Sequence, residues 1–449
     1  MMYDDVVNDD ENPFPGQLFN QPTKKGTPGK DVYHGVKKDY TGKDVTAKNF
    51  LSIITGDKQS MKDIGTGRVL ESTKEDRVFI NFVDHGGVGL IAFPEQPYLY
   101  KKDLQSALVQ MHNSSMYKEL VFYLEACESG SMFKGFPKGL NAYMTTAANG
   151  KESSWGTYCA PNDQVDGTNL NTCLGDLFSV NWMEDSDGHD TTKETLNEQY
   201  TRVKKLTNKS HVLQFGDVDD IGPEYVAEFI GNDDGHLVVV EDSTTLPART
   251  QSSGHFDSRD HELNRFYHKY ARTEDTKDAK RLIAEIQDRI QHRERFEAIV
   301  LDVMRGDKKE TNRLMNSNTY YTPTHDTCQK LVNLAYEKYC HGYSDYSRKF
   351  FFCDSRDLVK IKHMLHDFLI DIYIILCHVH DIICHVTRTI VPVSLTIILF
   401  FKYPCLSTSV IDRYLPFRYI VKFVRVMVNL CEITDGDSER IVQAVNSAC

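Results

Sequence analysis

Two apolar, β-rich runs of strand length constrain this chain more than any other feature. Residues 78–87 read VFINFVDHGG, and residues 120–131 read LVFYLEACESGS. Each run ends in a reactive side chain, His85 in the first and Cys127 in the second, with glycine close behind. The stretch between them, Leu99 to Glu119, carries Leu104, Leu108 and Met111 at helical spacing. Strand, helix and strand in this order predict a βαβ unit. Such a unit sets the two strands parallel and brings both carboxyl ends to one side. Ligands and chemistry in α/β sheets gather at those ends. An imidazole beside a thiol there gives a thiolate nucleophile with its own general acid/base. Taken singly, a histidine after a strand is usually structural or solvated, and a single cysteine is usually a small buried hydrophobe. The context that the two residues share favours the reactive pair.

The D-H-G-G and E-A-C-E-S-G-S motifs resemble those of the legumains, also called asparaginyl endopeptidases or vacuolar processing enzymes. These are cysteine proteases of the caspase-like clan. The likeness starts with MMYDD at Met1 and runs through DVYHGVKKDYTGKDVT at 31–46 and TTAANGKESSWGTYC at 145–159. It is most specific in CLGDLFSVNWMEDSD at 173–187, and it resumes with VNLCE at 428–432. It covers most of residues 1–345 and the C-terminal end. The implied fold is caspase-like α/β, a mostly parallel sheet flanked by helices, plus a small all-helical, disulfide-linked C-terminal prodomain.

The resemblance also implies roles. Cys127 matches the nucleophile and His85 the acid/base, and the backbone N–H groups of Gly86 and Cys127 match the oxyanion hole. In the S1 pocket, Glu125 and Asp176 match the acidic wall, and Ser153 and Ser154 the polar floor. Such a pocket suits asparagine because a primary amide presents both a donor and an acceptor. Side chains that leave its buried polar groups unpaired are rejected. Read alone, Asp176 would be a solvated turn residue after Gly175; within CLGDLFSVNW it reads as a pocket residue. The implied cleavage is after Asn, and after Asp at low pH, through a thioester, with no cofactor and no metal. The implied partners are protein or peptide substrates, the chain's own prodomain and cystatin-type inhibitors.

The family carries, upstream of the first matching residues, a signal peptide, a first core strand, an active-site asparagine and an S1 arginine. None of these has a counterpart in this chain. The expectation is therefore an N-terminally incomplete chain that lacks a central strand and a pocket cation, with an exposed sheet edge and inefficient cutting.

A net charge of −12 excludes nucleic acid as a natural partner. Of eleven cysteines, Cys159 and Cys173 bracket a polar loop beside the S1 wall. The resemblance pairs these two, and pairs Cys328 with Cys431 and Cys340 with Cys449, since connectivity cannot be read from sequence. Disulfides on this scale imply an oxidising compartment. The family reading makes that a lysosome, a vacuole or the exterior. Asn113 and Asn208 open glycosylation triplets.

The expected organisation is a catalytic domain over 1–250, a linker and activation-peptide helices over 251–306, and the helical prodomain over 307–449. Leu282, Ile286, Ile290, Ile299 and Val303 predict one or two amphipathic helices in the middle segment. The resemblance lays this segment across the cleft. Carboxylates paired with its basic face, their pKa values held down, would let go in acid. Asn264 and Asp275 are the candidate sites of self-cleavage.

An atypical apolar insertion interrupts the prodomain at about 356–415. Asp371, Asp381 and Arg388 break its run, so it does not predict a membrane anchor, which needs about 20 residues largely free of charge. Its Cys377, His378, His380, Cys384 and His385 match no standard zinc module. Two other readings stay open. One is a subunit like that of the glycosylphosphatidylinositol-anchor transamidase, which shares the His-Gly-Gly context. The other is an inactive pseudoprotease. Within the legumain family peptide ligation stands beside hydrolysis, because an amine can resolve a thioester as water does, and the sequence does not decide between them.

Overall fold

The computed structural model describes residues 2–3, 7–9, 11–23, 27–94, 97–231, 254–316, 326–336 and 424–448. The expected insertion at 356–415, most of the linker and the Cys340–Cys449 pair lie outside these residues.

The elements that place the site follow in chain order. They are α1 (Ala47–Ile54), β1 (Arg77–Val83), α2 (Lys101–Asn113), β2 (Glu119–Glu125) and α3 (Gly130–Phe133). Next come β3 (Ala142–Thr146), β4 (Trp155–Cys159), β5 (Gly175–Asp176), α4 (Leu177–Gly188), α5 (Leu196–Leu206) and β6 (Leu213–Gly216). The C-terminal part adds β7 (Gly254–Asp257), α6 (His261–Arg272), α7 (Thr276–Val303), α8 (Lys308–Asn316), α9 (Asp326–Tyr336), α10 (Val424–Ile433) and α11 (Ser438–Ala448).

The main sheet has the order β6-β3-β2-β1, with β1, β2 and β3 parallel and β6 antiparallel to β3. A parallel strand covered on both faces reads as a near-continuous apolar run, and LVFYL in β2 is such a run. Its side chains alternate between two cores. Leu120, Phe122 and Leu124 pack with Phe50, Leu104, Leu108 and Met111 of α1 and α2. Val121 and Tyr123 pack with Phe178 of α4 and with Leu196 and Val203 of α5. Among the described residues β1 is the edge of this sheet, and Val83 at its end is 46% exposed.

The β3–β6 end depends on Asp217. Its buried carboxylate accepts the N–H groups of Gly139 at 2.7 Å, Leu140 at 2.9 Å and Ala142 at 3.3 Å. Removing the acceptor strands three donors inside the fold. Asp217→Ala is therefore expected to lower stability by roughly 3 kcal/mol, read as a shift in the urea midpoint at unchanged slope.

A second small sheet has the order β5-β4-β7. The helical expectation for the middle segment resolves into two helices, α6 and the 28-residue α7. Leu282, Ile286, Ile299 and Val303 of α7 are buried, while Ile290 is 47% exposed, one face having turned outward. Cys328 of α9 is bonded to Cys431 of α10, and α7, α9 and α11 pack together. No helix among the described residues is long and apolar enough to cross a membrane.

Candidate active site

The register of β1 on β2 pairs Val83 with Glu125. His85 and Cys127 each stand two residues beyond that pair, so both fall at the same level of the carboxyl edge, on neighbouring strands. Strands in a sheet lie about 4.8 Å apart, which brings the two residues into one site. Asp84 N–H bonds the Glu125 carbonyl at 3.2 Å and extends the pairing toward them. The His85 loop is closed by Ala92 N–H on the His85 carbonyl at 2.9 Å.

Gly86 lies against the backbone of Cys127. A Cβ at this position would stand 2.2 Å from the Cys127 carbonyl oxygen, which backbone cannot yield. Only glycine lets the His85 loop close on the strand that carries Cys127. Cys127 keeps its thiol and is 1% exposed. The next residue, Glu128, has φ +49°, a left-handed conformation that costs energy in a side chain of this length. Its N–H is held by the Glu152 carbonyl at 2.7 Å, and Ser129 then ties the turn to Ala148.

The residues matched to the S1 pocket converge here. Ser154 N–H points at Cys127 Sγ from 3.3 Å, and its hydroxyl lies 3.5 Å from the same sulfur. Ser153 donates to Asp257 Oδ2 at 2.7 Å. Glu125 is 1% exposed, and its Oε2 accepts the N–H and hydroxyl of Ser179 at 2.8 and 2.9 Å. Ser179 stands in the first turn of α4, so Glu125 also caps that helix and meets the positive end of its dipole. Glu125 Oε1 has no partner among the described residues. Asp176 immediately precedes α4.

Burial pushes the Glu125 carboxyl well up, the charge of Asp176 adds to this, and the Ser179 bonds pull back. Burial also raises Asp176, against the pull of His261 and Ser258. A carboxyl raised in the folded state binds its proton more tightly than in the unfolded chain. It thus detracts from stability at neutral pH, and the loss is recovered as pH falls through the raised value. Glu125→Gln is expected to raise the melting temperature at pH 7.5. The gain should shrink toward pH 4.5, where the native carboxyl carries its own proton.

The cleft beside Cys127 is covered by a later part of the chain. β7 pairs antiparallel with β4, Phe256 opposite Gly156 and Asp257 opposite Trp155. Ser258 follows, with its N–H on the Ser154 carbonyl at 3.1 Å and its Oγ accepting from the Ser154 hydroxyl at 3.2 Å. Next, α6 is fastened by Arg272, which grips the buried Asp163 through two nitrogens at 3.1 and 3.2 Å and Asn171 at 2.6 Å. Lys269 and Arg265 of α6 pair with Glu11. On the other side α9 reaches the loop after His85, with Gln329 Nε2 on the Val88 carbonyl at 2.8 Å and Lys330 on Asp103 at 3.0 Å.

Cys159 and Cys173 are joined in a disulfide beside β5. Neither Asn264, within α6, nor Asp275, which caps α7 through Lys277 and Asp278 N–H, lies on β4. Asn113, at the end of α2, and Asn208 are exposed. Of groupings with metal-ligand side chains among the described residues, Cys159, Cys173 and His261 include the disulfide. The other, Asp185, His189 and Glu194, already faces the guanidinium of Arg202, 2.9 Å from Asp185 Oδ1. Sequence reasoning missed Ser179 and Ser258. The first carried a weak signal, a serine three residues into a helix behind Asp176; the second carried none.

The model of the peptidase C13 family matches residues 1–232. Legumain of Mus musculus is 42% identical over 338 residues, covering 74% of this chain and 72% of its own. Vacuolar-processing enzyme of Ricinus communis is 38% identical over 362 residues, 78% of this chain and 71% of its own. Legumain of Homo sapiens is 38% identical over 349 residues, 76% of this chain and 75% of its own.

Proposed function

The chain belongs to the peptidase C13 family, and on that premise we propose that it is a cysteine endopeptidase cutting after asparagine, made as a zymogen. Cys127 is the nucleophile and His85 the acid/base. The observation that carries this reading is the β1–β2 register, which sets both residues two positions past one strand pair. The thiolate attacks the scissile carbonyl, and the N–H groups of Gly86 and Cys127 take the developing oxyanion. His85 passes a proton to the leaving amine, and water resolves the thioester.

Glu125 and Asp176 face the amide of a P1 asparagine. An aspartate enters in acid, once protonation gives it an amide-like donor. An extended substrate adds to the open edge of β4, where β7 now lies, and is held by main-chain hydrogen bonds. The catalytic part runs to about residue 250, and β7 with the helices after it forms the cover. Substrates are proteins, and the compartment is a lysosome or vacuole.

Carboxylates paired with the basic face of the covering segment are one route to acid release, and a titrating group inside the cover is another. Two carboxylates held low among the described residues of the covering helices, Asp278 and Glu310, pair with Arg281 and Arg313 of their own helices. The group placed to respond is His268 of α6. Its ring packs on Phe256 of β7 at 6.0 Å, and burial and then the charge of Arg272 push its pKa down. The test of specificity is a set of peptides that differ only at P1, incubated at pH 5.5 with acid-treated protein and read by mass spectrometry. Products should end in Asn, with Asp-ended products growing toward pH 4. Cutting after basic or apolar residues would overturn the roles of Glu125 and Asp176.

A further inference from the structure

Ser154 stands between the nucleophile and the covering segment, and its polar groups are divided between them. It is 2% exposed. Its N–H and hydroxyl face Cys127 Sγ at 3.3 and 3.5 Å. Its carbonyl receives Ser258 N–H at 3.1 Å, and its hydroxyl lies 3.2 Å from Ser258 Oγ. Each serine hydroxyl has one proton to give. The Ser154 hydroxyl spends its proton on Ser258 Oγ, which accepts it at 3.2 Å. Toward Cys127 the Ser154 oxygen is left only as an acceptor, and the group that can satisfy it is the thiol S–H.

We propose that Ser154 is a positioning residue for the Cys127 thiolate and that Ser258, while the cover is in place, withholds the proton this needs. In the covered chain a relay of donors runs from Cys127 through Ser154 to Ser258 and favours the thiol. With the segment gone, the Ser154 hydroxyl turns to the sulfur. The thiolate then has two donors from one residue, the N–H and the O–H, and hydrogen bonds to a charged form favour that form. The S–H proton leaves to the general base. The cover thus acts twice, by filling the cleft and by keeping the nucleophile protonated. This rests on the reading of Cys127 as nucleophile.

The test is the pH dependence of Cys127 alkylation by iodoacetamide in the full chain, with the adduct located by mass spectrometry. Ser258→Ala leaves the backbone bond of the strand and removes the acceptor. It should move the midpoint down by about one unit, so that labelling well below the midpoint rises about tenfold. Ser154→Ala should move the midpoint up and make Ser258→Ala silent in its background. A change of access alone would scale the rate equally at every pH and leave the midpoint in place. An unmoved midpoint in Ser258→Ala, or an equal shift with Ser154 absent, overturns the relay. Peptide cleavage that survives Cys127→Ala overturns the nucleophile reading, and the relay with it.

Discussion

Cys127→Ala is expected to lower peptide cleavage by roughly five orders of magnitude, the scale on which loss of a nucleophile acts in hydrolases of this logic. The methyl group leaves His85 nothing to activate, while the pocket of Glu125, Asp176 and Ser153 stays in place. Affinity for a peptide should therefore change little while turnover disappears. The fold should persist as well, since Cys127 forms no disulfide and its turn is held by Glu128, Ser129 and their partners. Measuring kcat and peptide binding on the same preparation separates the two. Turnover within about tenfold of the parent would remove Cys127 from the mechanism.

The second large effect concerns the cover. His268→Leu is expected to lower the activity released by incubation at pH 5 by about threefold, since solvent screens a ring this exposed. The sign follows from the direction of the shift. His268 has a folded pKa below its ordinary value, through burial first and the neighbouring Arg272 second, with Asp163 pulling the other way. A histidine depressed in this way leaves the covered state intact above the unfolded value of about 6.5 and weakens it as pH falls below. The ring touches Phe256 of the covering strand, and it stands four residues before Arg272, which anchors α6 on Asp163. Charging it acts on strand and anchor together. Leucine keeps the apolar contact and removes the titration. Activity in a peptide assay after timed acid exposure reads the difference, and an unchanged pH of onset would place the switch elsewhere.

Much of the framework that carries His85 and Cys127 was legible because it is local. An apolar run, a reactive residue and a glycine occur twice within fifty residues of each other, and a helix between them permits only a parallel arrangement.

The cover was not legible in detail. GHFD has no strand pattern of its own; it becomes β7 because β4 offers an open edge about a hundred residues earlier in the chain. Ser258 is an ordinary polar residue until that pairing sets it against Ser154 and Asp176. His268 was hidden for a related reason. A basic segment and an acidic body suggest carboxylates held low by cations. Only packing raises the values of Glu125 and Asp176 and sets His268 against Phe256, within reach of the charge of Arg272.

The central claim joins one nucleophile to one side-chain preference, and a single covalent measurement reaches both. Acid-treated protein is exposed to peptidyl chloromethyl ketones that differ only in carrying asparagine or arginine at P1, and tryptic peptides are mapped by mass spectrometry. The account predicts rapid, stoichiometric modification of Cys127 by the asparagine probe and little by the arginine probe. Equal labelling by both, or an asparagine adduct on any residue other than Cys127, would contradict it.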